Sequence, residues 1–225
     1  MNRTIIIGDV HGCSQTLEAL LYQEIRIEKS DYIICLGDYI DRGHNSKEVI
    51  DILLDLRAKG YNIDCLRGNH EQMLINTYYH PELSPQWLRN GGNRTLKSFG
   101  IDDIRKLPEK YLQFFNSTKF IVELENFYIV HAGMNFELAD PLVDTLSMLW
   151  TRNISIDRNK IKNKRLIVGH TPKQLPEIEK SLQEDTIFLD GGCVYEDMEE
   201  GRGYLVALHL EEMKLFYRKN IEINI

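Results

Sequence analysis

Aspartate, histidine, asparagine and arginine recur in five short stretches of this chain: GDVHG at 8–12, GDYIDRG at 37–43, RGNHE at 67–71, HAG at 131–133 and GHT at 169–171. Oxygen and imidazole donors without thiolates suit borderline divalent metals, so manganese, iron and zinc are the candidates, with manganese the first choice. Asp9 and His11 lie two residues apart, and on an extended segment both side chains point the same way and could hold one ion. Asn69, His131 and His170 could hold a second, and Asp38 is the candidate to bridge the pair. A bridging carboxylate places two ions about 3.5–4 Å apart, close enough to polarise one substrate and activate one water. Arg42, Arg67 and Arg152 are candidate phosphate clamps, because a guanidinium matches phosphate oxygens and stays charged. Together these groups describe phosphoester hydrolysis by in-line attack of a metal-activated hydroxide. A leaving alkoxide needs a proton, for which His70 is the natural donor and Asp41 the group to hold its ring. The alternative for His70 is a metal ligand like the others. Taken singly, each aspartate could be no more than a turn residue.

What sets these groups in one place is the element pattern. Short β-branched runs precede each stretch, at TIIIGD, YIICLGD, IDCLRGN, FYIVHAG and RLIVGHT, and a sixth occurs at TIFLDGG. Such continuous apolar runs read as strands buried on both faces. Amphipathic segments separate the early ones (SQTLEALLYQEI, NSKEVIDILLDLRAKG, HEQMLINTYY), which implies a mainly parallel sheet. Asn45 with Glu48 resembles a helix-start box, Gly60 a stop, and Ser84-Pro85 another start. Residues 81–118 read as helical, broken at LRNGGNRT. Hairpins are expected to turn at Glu125-Asn126 and near Glu211-Glu212, so the architecture is a mixed sheet or two packed sheets. In a parallel α/β sheet the C-terminal strand ends share one edge, where ligands bind. All five stretches stand at such ends.

The 225 residues, 43% hydrophobic, suit one well-buried core, so a single domain over 1–225 is expected. A net charge of -7 leaves no electrostatic footprint for nucleic acid or an anionic membrane. No run approaches the roughly 20 apolar residues of a membrane span, and TIIIGDV is too short for a signal peptide, which suggests a soluble, cytoplasmic protein. Cys13, Cys35, Cys65 and Cys193 occur singly and read as buried or semi-buried thiols.

GDVHG, GDYIDRG, RGNHE, HAG and GHT, in that order, resemble the signature of the calcineurin-like metallophosphoesterases, in particular the phosphoprotein phosphatase branch of bacterial serine/threonine type. The resemblance implies an α/β metallophosphoesterase fold, with two mixed β-sheets packed as a sandwich and flanked by α-helices. It also implies a dinuclear centre on Asp9, His11, Asp38, Asn69, His131 and His170, a proton-donating His70 supported by Asp41, and phosphate-binding Arg42 and Arg67. LWTR at 149–152 fits the family's further arginine with Arg152, and WLRNGG at 87–92 and LDGGCVY at 189–195 also look bacterial.

Three functions compete. The expected one is a phosphatase acting on phosphoserine or phosphothreonine in proteins or peptides. A hydrolase of dinucleoside tetraphosphates would share the motifs and differ in substrate-facing loops, at 72–118 and 190–203. A catalytically inactive metal-binding interaction module would lack a ligand or the proton donor, whereas every expected position here is filled. A nucleic-acid phosphodiesterase is disfavoured by the acidic balance. His44, His80 and His209 read as surface or helix-end residues, and Tyr195 as either packed or substrate-facing.

Overall fold

The computed structural model describes residues 3–195 and 201–222, so part of the 190–203 loop lies outside the described residues. Among the described residues nine strands form two sheets. One has the order β3-β2-β1-β8-β9, from Asn62–Cys65, Tyr32–Cys35, Thr4–Ile7, Tyr204–His209 and Lys214–Lys219. The other has the order β4-β5-β6-β7, from Ile121–Glu123, Phe127–Val130, Arg165–Val168 and Thr186–Phe188. Each sheet contains a parallel trio, β3-β2-β1 or β5-β6-β7, edged by antiparallel partners, so both are mixed.

Two-residue alternation explains how the sheets pack. In β1, Ile6 joins Ile34, Ile129, Ile167, Ile187, Val206 and Leu208 in the layer between the sheets. Ile5 and Ile7 face the other way, into a second core with Ile33, Leu17, Val49, Leu53 and Leu74 from the helices. Tyr128, Val130, Leu166 and Val168 likewise turn outward beneath Met148 of α7 (Thr145–Trp150). Strands buried on both faces therefore need helices on both outer surfaces, and the chain supplies them.

The first sheet is covered by α1 (Ser14–Ala19, continued by a π-helical turn), α2 (Ser46–Ala58) and α3 (Asn69–Tyr79). Between the sheets in sequence come α4 (Ser84–Trp87), a π turn at Leu88–Gly92, α5 (Asn93–Phe99) and α6 (Glu109–Asn116), and α8 (Leu175–Ser181) precedes β7. Gly60, at φ 81°, ends α2 as expected. The Asn45–Glu48 box does not form, because the Asn45 amide donates to Glu222 and Glu48 accepts from Ser98. Both hairpins turn at the expected places. All four cysteines are buried and free. Among the described residues no helix is long and apolar enough to cross a membrane.

Candidate active site

The loops that follow β1, β2 and β3 in one sheet, and β5, β6 and β7 in the other, converge on a single buried cluster. At its centre is Asp38, 2% exposed, whose Oδ2 is faced by the Nε2 atoms of His11 at 3.4 Å, His131 at 3.5 Å and His70 at 4.0 Å. Two donor sets share this carboxylate, namely His11 with His70, and His131 with His170. Asn69 belongs with the second, since its Oδ1 lies 3.1 Å from His131 Nε2 and 3.0 Å from His170 Nδ1.

The polar groups around the cluster are those a divalent cation would satisfy. Only an N–H can pair with a carbonyl, so Nδ1 of His11 donates to Ile40 (2.8 Å) and Nδ1 of His131 to Leu36 (3.0 Å). That leaves each Nε2 as a lone pair aimed inward, the usual arrangement behind a metal-binding imidazole. Asp9 Oδ2 accepts the His170 backbone N–H at 2.9 Å, while its Oδ1 is buried with no protein partner, as are His70 Nε2 and His170 Nε2. A Cβ at Gly68 would lie 2.1 Å from Asp38 Oδ1 and one at Gly169 2.1 Å from Asp9 Oδ1, so only glycine admits these carboxylates.

Electrostatics agree. Burial, reinforced by Asp190 and Asp38, raises the Asp9 carboxyl well above its usual range. Burial also raises Asp190, to about 7. For Asp38 burial acts the same way but is outweighed by the surrounding imidazoles, which hold its carboxyl low. Burial lowers His11 and His131, and His170 to about 3, so these rings stay neutral and able to ligate. Crowded buried carboxylates beside neutral imidazoles are an unfavourable set without a cation to share.

Five of these residues hold left-handed backbone: His11 (φ 45°), Asp38 (49°), Asp41 (69°), Arg42 (66°) and His170 (68°). Non-glycine residues rarely do so, and such strain collects at functional sites. It also corrects one expectation. His11 sits in a left-handed turn and not on an extended segment; its ring faces Asp38, while Asp9 gives Oδ2 to the His170 N–H and keeps Oδ1 unpartnered.

His70 is completely buried and its Nδ1 lies 2.7 Å from Asp41 Oδ2. Arg42 reaches the cluster, its guanidinium 2.6 Å from His11 Nε2 and 5.5 Å from the centre of the Tyr195 ring, which places Tyr195 at the site. Arg152 is exposed at the rim, near enough that its charge helps lower His170. The Trp150 ring stands edge-on to His170 at 6.4 Å.

Arg67 does not join them. Beyond β3 the chain bridges at Leu66 to Lys119, which lays Arg67 along the turn after α6. There its guanidinium donates to Thr118 Oγ1, Gln72 Oε1 and the carbonyls of Phe115 and Asn116, and covers the Phe120 ring at 4.8 Å. The expected clamp at Arg67 is therefore replaced by a structural tie. Of the remaining histidines, His44 accepts at Nδ1 from the Arg94 guanidinium (3.3 Å) and His80 is exposed beside Glu82, but His209 is buried on β8 between Glu211 and Glu212, contrary to a surface placement.

Several residues of the site went unread in the sequence. Glu71, the last residue of RGNHE, accepts the backbone N–H groups of Asp38, Tyr39 and Gly68. Asp190 ends β7 as other aspartates end their strands, and its Oδ1 caps Gly192 N–H at 2.8 Å. Trp87 and Thr95 both donate to Asp41. LDGG carried the signal for Asp190; nothing local marked the other contacts.

Comparison with known proteins agrees with this geometry. The chain is 25% identical to the asymmetrical bis(5'-nucleosyl)-tetraphosphatase PrpE of Oceanobacillus iheyensis, over 84% of both chains. It is 35% identical to serine/threonine-protein phosphatase 1 of Salmonella typhimurium over 39% of this chain and 38% of that one. Its fold matches a protein serine/threonine phosphatase from Saccharomyces cerevisiae with a TM-score of 0.66 at 15% identity, covering 99% of this chain and 81% of the other. The sequence profile of the calcineurin-like phosphoesterases matches residues 3–206. With that span matched and the His/Asp clusters assembled on two mixed sheets, the chain belongs to the calcineurin-like metallophosphoesterases and is a metal-dependent phosphatase.

Proposed function

We propose that this protein is a phosphoric monoester hydrolase acting on phosphoserine and phosphothreonine in proteins, with one domain carrying the whole site. The observation that supports the phosphoester-hydrolase part of the reading is the Asp38 carboxylate faced by three imidazole Nε2 atoms, beside an unpartnered Asp9 oxygen and a His70–Asp41 pair. Asp9, His11 and Asp38 would hold one divalent ion, and Asp38, Asn69, His131 and His170 the other. Two such ions, manganese by preference, would supply Lewis acidity and lower the pKa of water toward neutrality. Arg42 and Arg152 then orient and neutralise the phosphate oxygens. His70, its Nδ1 held by Asp41, presents Nε2 to the leaving oxygen and delivers a proton there.

A second reading, hydrolysis of dinucleoside tetraphosphates, is favoured by the relative from Oceanobacillus iheyensis, which shares most of its length with this chain. Turnover of a phosphothreonine peptide and of diadenosine tetraphosphate by the manganese-loaded protein, with Asp9→Asn as control, separates the two. We expect the peptide to win by at least about tenfold in kcat/KM. The reverse order would leave the site standing and move the substrate to nucleotides.

A further inference from the structure

Asp41 is completely buried, and its carboxylate is held by more than His70. Oδ2 accepts from the Trp87 indole Nε1–H at 2.9 Å as well as from His70 at 2.7 Å, and Oδ1 accepts from the Thr95 hydroxyl at 2.6 Å. The Asp41 backbone N–H in turn donates to Thr95 Oγ1 and Ser46 Oγ, at 3.0 and 3.1 Å. Both side-chain donors come from one segment, α4 to α5, whose only sequence mark is WLRNGGNRT.

That segment is built to hold its donors still. Trp87 is 1% exposed, and its indole lies so close over Gly92 that a Cβ there would be 2.5 Å from the ring. Gly91, at φ 104°, turns its carbonyl to the Arg42 N–H at 3.4 Å. The segment thus grips residues 41 and 42 together. A carboxylate bonded to an imidazole alone can still rotate about its last bond and carry the ring with it. Two further donors, one on each oxygen, fix its plane, and the plane fixes where His70 Nε2 points.

We propose that Trp87 and Thr95 are positioning residues for proton delivery by His70, with α4 to α5 serving as the brace of the His70–Asp41 pair. This rests on the reading of His70 as the leaving-group acid. Both residues donate to Asp41 and neither belongs to a metal-donor set, so their loss registers where leaving-group protonation matters. p-Nitrophenolate departs with little need of a proton, whereas an alkoxide requires one.

The test uses the manganese-loaded enzyme and two substrates, acetyl-phosphothreonine amide and p-nitrophenyl phosphate, with metal content measured alongside. Trp87→Phe removes the N–H and keeps a ring; Thr95→Val removes the hydroxyl at nearly constant shape, and Thr95→Ser returns it. For Trp87→Phe and Thr95→Val we expect kcat on the threonine ester to fall about ten- to a hundredfold, while kcat on the nitrophenyl ester stays within about threefold and KM and metal content are unchanged. Thr95→Ser should recover the alkyl-ester rate. Equal losses on both esters, loss of metal, or no loss on either would overturn the inference. Should Trp87→Phe not fold, the Thr95 pair decides alone. A wild-type enzyme that is inert toward both esters would remove the phosphatase reading beneath it.

Discussion

Glu71→Gln is the sharpest probe of how the two metal-facing loops of the first sheet are held. Glu71 is fully buried, and its Oε2 accepts the N–H of Asp38 at 2.8 Å and of Gly68 at 2.9 Å, while Oε1 accepts that of Tyr39 at 2.9 Å. One side chain therefore ties the turn after β2 to the turn after β3. A glutamine can keep its oxygen on the first two N–H groups only by turning its own N–H2 against the third. That removes one hydrogen bond, worth about 0.5–1.5 kcal/mol, and leaves a buried donor unpaired at about 1–3 kcal/mol. Burial, with Asp38 adding to it, pushes the Glu71 carboxyl up to about 8, so the substitution also relieves part of a desolvation cost. We set the net loss at about 2–4 kcal/mol. For a chain of this size that lowers Tm by roughly 5–15 °C. Because the loosened turns carry Asp38 and Asn69, manganese affinity should fall about ten- to a hundredfold, as when other supports behind a metal ligand are cut. Thermal denaturation with chelator and with manganese, plus calorimetric metal titration, gives both numbers. A Tm within about 2 °C of wild type with unaltered metal affinity would refute the clamp.

Other substitutions separate the remaining roles. Asp38→Asn, which removes the carboxylate common to both donor sets, should lower bound manganese from two ions to one or none by elemental analysis and abolish the Tm gain that added manganese gives wild type. His70→Asn should keep the metals yet slow alkyl phosphates at least about tenfold more than p-nitrophenyl phosphate. Arg42→Ala should cost at least about tenfold in kcat/KM with little change in Tm. Arg67→Ala should do the opposite, with stability down by about 2–3 kcal/mol in urea and turnover per folded molecule retained.

Much of this was legible because it is local. Ile5, Ile6 and Ile7, or Ile33 and Ile34, are apolar whichever way they face, so their runs announce strands buried on both sides. Placing Asp9, Asp38, Asn69, His131 and His170 just past such runs was enough to predict that they meet. What failed depended on backbone direction or distant partners. No pattern at RGNHE says that the chain bridges to Lys119 and carries Arg67 away. The left-handed turn at His11 is not visible in its two-residue spacing from Asp9, which alone reads as extended. Trp87 and Thr95 lie 46 and 54 positions from Asp41, and no spacing rule reaches so far. Asn45 shows the converse, a local motif outbid by a partner 177 residues away.

The bond from the His170 N–H to Asp9 joins residues 161 positions apart. Closing so long a loop is entropically costly until the sheets are formed and docked, so no early folding species contains this contact. Domains emerge from the ribosome N-terminal part first, and β8, which pairs with β1 beside Asp9, is made long after β1 itself. The nascent chain thus carries Asp9, His11 and Asp38 with no pocket to gather them until His170 and β8 have followed. A stray cation meets only scattered ligands during that time, and metal selection is deferred until donors from both sheets are present.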